Sequence, residues 1–213
     1  MKKIIILFSL FFVFINSSFA DETKKVEKFI DDFGKRIMLV VDDKNLDVNQ
    51  KREGLIKIVD GIIDSNWISK FVLGRNYRIA NKEQKEEFKV LYRDFMINAY
   101  SPKFTDYRGE IFSIDSVINN GNYYTVECLL TPKDDTPTIS IDFRVRKNTA
   151  KSAKTDFIVF DIVAEGISLI ETQRSEFGSA IDRDGIEKFM FDLKERTATL
   201  KSEYNSPDKA DKN

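Results

Sequence analysis

The sequence predicts an α+β fold, a twisted antiparallel sheet of about four strands packed against helices. Two observations carry this reading. Apolar residues recur at helical spacing in two blocks, one ending near Pro102 and one beginning after Ser168. Between the blocks lie four short segments that alternate or run apolar, with "NNGN" at 119–122 as a strong hairpin signal.

The chain opens with "MKKIIILFSLFFVFINSSFA". Two lysines, a 12-residue apolar or small stretch (Ile4 to Ile15) and Ser18-Phe19-Ala20 form the three parts of a cleavable signal peptide. The stretch is short of the ~20 residues a spanning helix needs. The expected layout is a signal peptide at 1–20, one domain at 21–200 and a polar tail at 201–213. It makes the mature protein soluble and exported, starting at Asp21.

The first helical stripe is Val26, Phe29, Ile30, Phe33, Ile37, Val40 and Val41. Leu55, Ile58, Val59, Ile62 and Ile63 form a second, which "DSNWISKFVLG" extends as a short helix ending near Gly74. The third carries Phe88, Leu91, Tyr92, Phe95 and Ala99, with Asn81 as N-cap, Gln84 three residues on, and Pro102 marking its end. In the strands, Phe112, Ile114 and Ile118 alternate with polar residues, as do Tyr124, Val126, Cys128 and Leu130, and then Ile139, Ile141, Phe143 and Val145. The strand at 156–164 is apolar on both sides apart from Asp161, as a covered central strand should be. Two more helices follow, on Leu169, Ile170, Phe177 and Ile181, and on Ile186, Phe189, Met190 and Leu193.

Composition excludes several kinds of chemistry. Histidine is absent, which removes Ser-His-Asp and Cys-His catalysis and every histidine-containing zinc site. Cys128 is the single cysteine, so no internal disulfide forms. It lies on the apolar side of its strand, as a small hydrophobe does. Without Lys2 and Lys3 the basic residues fall from 34 to 32 against 35 acidic, a net charge of −3. That balance is no footprint for nucleic acid. No cofactor fingerprint, phosphate loop or metal motif is present.

"AEGISLI" (164–170) tests the case for catalysis. A nucleophile elbow needs G-x-S-x-G, and Gly166-Ile167-Ser168-Leu169-Ile170 lacks the second glycine. Ser168 reads instead as a helix N-cap after a tight turn at Gly166. Asp161 and Glu165 are not forced together by their spacing; Asp161 satisfies backbone groups or pairs with an arginine such as Arg174. "DRDG" (182–185) does not match a calcium loop, because its glycine falls at the fourth position, and Asp184 reads as the N-cap of the last helix. "GRNYR" (74–78) is too short for a nucleic-acid patch and reads as a loop that pins helices together. The remaining feature is apolar bulk, with 18 Phe and 7 Tyr in a chain that is 32% charged. Spacing alone leaves open whether the sheet's apolar face is filled core or lines a hollow.

Two blocks go further. "FVLGRNYRIANKEQKEEFKVLYRDFMINAYSPKFTDYRGE" and "FIVFDIVAEGISLIETQRSEFGSAI" resemble the MlaC family, the toluene-tolerance periplasmic phospholipid-binding proteins. The resemblance rests on Leu73, Gly74, Arg75, Tyr77 and Arg78, then on Asp161, Gly166, Ser168, Leu169, Arg174 and Phe177. Phe157 stands where many members have tryptophan.

The resemblance implies a periplasmic, non-enzymatic carrier, with the tails of a diacyl phospholipid in an apolar cavity between sheet and helices. It also implies traffic between an inner-membrane ABC transporter complex with an MCE subunit and an outer-membrane lipoprotein complex, a role in outer-membrane lipid asymmetry. The expected ligand is phospholipid, with no cofactor. Alternation gives Phe112, Tyr124, Val126, Ile141 and Phe143 as cavity lining, with Ile167 at its border. Tyr100 and Tyr107 join them on the family match. The competing readings are an envelope hydrolase using a Ser-Lys or carboxylate site, and an interaction protein with a filled core.

Overall fold

A computed structural model describes residues 16–105, 109–133, 136–150 and 155–204. Helix α1 (Asn16–Val41) buries Val26, Ile30, Phe33, Ile37 and Val41, a stripe at three- and four-residue intervals. Its solvent face carries the i,i+4 ion pairs Asp21–Lys25, Lys28–Asp32 and Asp31–Lys35. Helix α2 (Val48–Asp60) starts at a capping box: Asp47 accepts from the Gln50 amide at 2.9 Å while Gln50 Oε1 accepts from the Asp47 amide at 2.9 Å. The signature D-x-x-Q was legible, but apolar periodicity alone placed the helix from Leu55 on.

Helix α3 (Ser65–Leu73) is capped by Asp64, which accepts from the Trp67 amide at 3.0 Å. One helical turn, α4 (Asn76–Ile79), precedes α5 (Lys82–Thr105). Asn81 and Gln84 close the capping box of α5 as expected. Pro102 does not end that helix, which runs three residues further to Thr105. A proline ring has helical φ and, in a last turn, forfeits a single backbone bond.

Strands β1 (Ile111–Asn119), β2 (Tyr124–Thr131), β3 (Ile139–Lys147) and β4 (Phe157–Ala164) form an antiparallel meander. A fifth strand, β5 (Ile167–Ser168), adds two residues beside β4 beyond the four expected. The free side of β4 is also covered by the α2–α3 connection, where Ile63 bridges Val159 and the Val159 amide donates to Ile62 O at 2.8 Å. The hairpin at 119–122 forms, with Gly121 at φ 84° and its amide on Asn119 Oδ1 at 2.8 Å.

Two β-bulges decide which side chains face where. In β1 the register slips at Asp115, so Val117 pairs with Val126 and joins the apolar face, whereas Ile118 turns out and is 44% exposed. Uninterrupted alternation had put Ile118 inside. In β4 the slip falls at Phe160: Val159 pairs with Val145, but Arg144 pairs with Asp161. Phe160 and Asp161 therefore both leave the face that Phe157 and Val159 share.

Helices α6 (Leu169–Asp184) and α7 (Ile186–Tyr204) complete the chain, separated by Gly185 at φ 83°. Asp184 ends α6 and pairs with Arg183 at 2.7 Å; it does not cap α7, which starts directly after the glycine. Helix α7 continues through residues 201–204, beyond the boundary expected for the tail. The fold is α+β, with two hydrophobic cores. One joins α1 and α2 to a single face of the sheet. The other gathers α3, α5, α6 and α7 around Phe88, Tyr92, Phe95, Phe177 and Phe189, whose ring centroids lie 5.0 to 6.3 Å apart.

Candidate functional site

The apolar face of the meander carries most of the expected site residues. Alternation and the two bulges bring Phe112, Ile114, Val117, Val126, Cys128, Ile141, Phe143, Val145, Phe157, Val159 and Ile162 to one side. Five expected lining residues are thus together: Phe112, Tyr124, Val126, Ile141 and Phe143. Above them lies the apolar stripe of α1. Phe33 meets Phe143 edge-on at 5.7 Å, and Phe29 meets Phe157 at 5.9 Å. Val126 and Val145 are fully buried.

The seam between α1 and β1 is where this layer opens to solvent. A groove of about 450 Å³ is floored by Phe112 and Ile114 and rimmed by Ser113, Lys24, Glu27, Lys28 and Asp31. Its mouth holds both signs of charge one helical turn apart. At Gly34 the helix comes so close that an added Cβ would stand 2.7 Å from the Phe112 ring. Cys128, on the floor of this layer, is 1% exposed, and burial pushes its thiol up to about 12.

Ile167, in β5 after the tight turn, pairs with Ala164, which pairs with Ile141, so it stands on the side of the apolar face, at the sheet's edge and 65% exposed. Tyr100, on α5, falls elsewhere: it is half-buried near Gln173 of α6, beside the second core, and burial raises its pKa. Tyr107 lies outside the described residues.

Asp161, re-aimed by its bulge, builds a buried polar knot at the start of α6. Ser168 Oγ donates to Asp161 Oδ2 at 2.7 Å, the Ile170 amide donates to Oδ1 at 3.3 Å, and Arg144 lies at 3.1 Å. The arginine partner is Arg144, across the strand pair, and not Arg174, because the bulge puts Asp161 opposite Arg144. Ser168 also caps α6, accepting from the Glu171 amide at 3.2 Å. Burial raises the Asp161 pKa above the ordinary value, with Ser168, Ile170 and Arg144 opposing the shift. Asp161 and Ser168 are 2% and 7% exposed, so a substrate carbonyl has no approach to the hydroxyl, which is already spent as a cap. This knot holds the β4–β5 turn to α6, where Glu165 takes the left-handed φ of 49° and Gly166 follows at 77°.

A second groove, of about 440 Å³, lies between α3, α4 and α6. It combines Trp67, Phe71 and Tyr77 with Lys70, Arg75, Arg78 and Arg174. Sequence reasoning had read "GRNYR" only as a pin between helices. That role is real, since Arg75 pairs with Asp182 of α6, but it omits the groove. Arg174, 100 residues away in the chain from Gly74, is what sequence proximity could not supply. Among the described residues, no helix is long and apolar enough to cross a membrane.

Comparison with known proteins agrees with this architecture. The family model described as MlaC protein matches residues 30–195. The intermembrane phospholipid transport system binding protein MlaC of Haemophilus influenzae is 22% identical over 118 residues, a match spanning 54% of this chain and 54% of that one, about half the length of each. A phospholipid-binding protein from Ralstonia solanacearum, solved in complex with a phospholipid, superposes with a TM-score of 0.68 at 20% identity, covering 84% of this chain and 98% of the other. At that identity the likeness is one of fold.

Proposed function

The chain belongs to the MlaC protein family, and from that premise we propose that it is a phospholipid carrier working between two membranes of the cell envelope. The observation that carries the reading is the continuous apolar sheet face, covered by amphipathic helix α1 with α2 packed beside it, and bordered by a groove at the α1–β1 seam. The bound phospholipid of the similarly folded Ralstonia protein supports it.

In this mechanism the acyl tails enter at Phe112 and Ile114 and lie against Val126, Ile141 and Phe143, taking over contacts that α1 makes in the closed form. Each CH₂ kept from water is worth about 0.8 kcal/mol, so an uncovered diacyl lipid does not cross an aqueous gap at a useful rate. A carrier need only match the apolarity of the bilayer, which leaves transfer near balance and reversible. The headgroup rests at the mouth, where Lys24 and Lys28 face a phosphate and Glu27 and Asp31 an amine. Both signs at the rim suit zwitterionic lipids and discriminate little among headgroups. Exchange with an inner-membrane ABC transporter complex and an outer-membrane lipoprotein complex, after export of residues 21 onward to the periplasm, is the family role we extend to this chain.

Placement of the tails is testable because Trp67 is the single tryptophan and sits on the other side of the sheet. In a Trp67→Phe background, Ile114→Trp should be strongly quenched on loading with a phospholipid brominated along its acyl chains. Trp67 in the otherwise native chain should keep its emission. Quenching of Trp67 with Ile114→Trp untouched would reject the seam as the entry.

A further inference from the structure

The groove between α3, α4 and α6 is not explained by lipid carriage. We propose that it is a docking surface for an acidic segment of a protein partner. Trp67 stacks on Phe71 at 5.0 Å, and Trp67 meets Phe160 edge-on at 5.4 Å. Cations lie over these rings: Arg174 is 4.6 Å from the Phe71 centroid, Lys70 is 5.3 Å and Lys85 4.8 Å from that of Tyr77. Among the described residues, Lys70, Arg78 and Arg174 make no ion pair, although the whole chain carries net charge −1. Arg78 lines the groove, and Ile79, next to it in the chain, is 73% exposed.

Local structure fixes these groups in place. Gly74, at φ 56°, leaves the space that Arg174 uses; an added Cβ would lie 3.1 Å from its Nε. Arg75 ties α4 to α6 through Asp182. Asn76, buried in the same turn, retains an Nδ2 donor without a partner. Preorganised arginine and tryptophan in a shallow groove is the composition of energetic centres in protein interfaces.

Position separates this groove from the lipid path. Phe160, which contacts Trp67, alternates with Phe157 and Val159 and so points away from the face covered by α1. A headgroup whose tails lie against that face cannot reach through the sheet. A membrane surface is the poorer fit, since the aromatic rings here are already covered by cations and do not project as an apolar wedge. An acidic protein segment matches the charge and leaves the α1–β1 seam free. The inference extends the carrier reading, because a carrier must pause at a donor or acceptor while its lipid path stays open.

The test uses the full chain in the cells that make it, with photoreactive benzoylphenylalanine in place of Ile79. The expected result is an adduct mapped to an Asp/Glu-rich segment of one protein. Arg78→Glu with Arg174→Glu should cut its yield about tenfold or more, and reversing the acids of the mapped segment should restore it. Phospholipid recovered from the purified double variant reports carriage separately and should equal that of wild type. Adducts on phospholipid, adducts mapped to a segment without acids, or no adduct at all would each overturn the docking proposal without touching carriage.

Discussion

Asp161 is a carboxylate that the plain alternation of its strand would have sent into the apolar core. The bulge at Phe160 turns it to the α6 side, where two donors and Arg144 meet it. Asp161→Ala should therefore cost about 3 kcal/mol, since it strands the Ser168 hydroxyl and the Ile170 amide and removes the buried one of Arg144's two carboxylate partners. Urea unfolding measures this. The carboxyl also has a pH signature. Its folded pKa lies above the ordinary 3.8, so the native state holds a proton that the unfolded chain has released. Stability from this group is largest below 3.8 and declines as pH rises through the raised value. Asp161→Asn should flatten that decline, and an unchanged slope would show that Asp161 does not titrate there. Cys128 gives a second residue-scale expectation. A thiol that is buried and raised to about 12 should resist maleimide in the native protein and react fully in denaturant.

At the scale of elements, the fit of α1 onto β1 is the feature that the carrier mechanism most depends on. Alanine at Gly34 gains about 1 kcal/mol of helix propensity but drives its Cβ into the Phe112 ring. Overpacking typically costs about 1–3 kcal/mol, so Gly34→Ala should destabilise, and Phe112→Ala should convert the same change into a gain. Additive effects of the two substitutions would mean that the contact carries no energy. The β1 bulge makes a paired prediction. Val117→Asp should cost about 2 kcal/mol or more, whereas Ile118→Asp on the solvent side should stay within about 0.5 kcal/mol. These slips mark where the sequence was silent. Helix stripes, the 119–122 turn, the Asn81 box and the Ser168 cap were all readable because each is a local pattern. A bulge adds one residue without changing composition, so Ile118 was assigned to the wrong face. The partner of Asp161 was misassigned to Arg174 for the same reason, since a cross-strand pair depends on register and not on distance along the chain.

For the whole molecule, the layers were legible and the site was legible only in part. Phe112, Tyr124, Val126, Ile141 and Phe143 do share a face, because a period of two fixes the side of a strand once register is set. Ile167 joins that side only at the exposed edge of the sheet, where β5 returns after the left-handed turn at Glu165 and Gly166. The groove of Trp67, Lys70, Arg78 and Arg174 was hidden for another reason: Arg78 and Arg174 lie 96 residues apart in the chain. What lies over the apolar face is helix α1, with α2 and the α2–α3 connection beside it, and carriage requires that lipid tails replace part of the α1 cover.

Native mass spectrometry of full-length protein, purified from its own cells without detergent, measures that requirement directly. The account predicts masses raised by whole diacyl phospholipids, spread over several headgroups in the proportions of the membrane. Ile141→Trp, deeper on the same face, should lower the loaded fraction while the protein stays folded. Lipid-free spectra from gently handled wild-type protein, with no uptake when phospholipid vesicles are supplied, would contradict it.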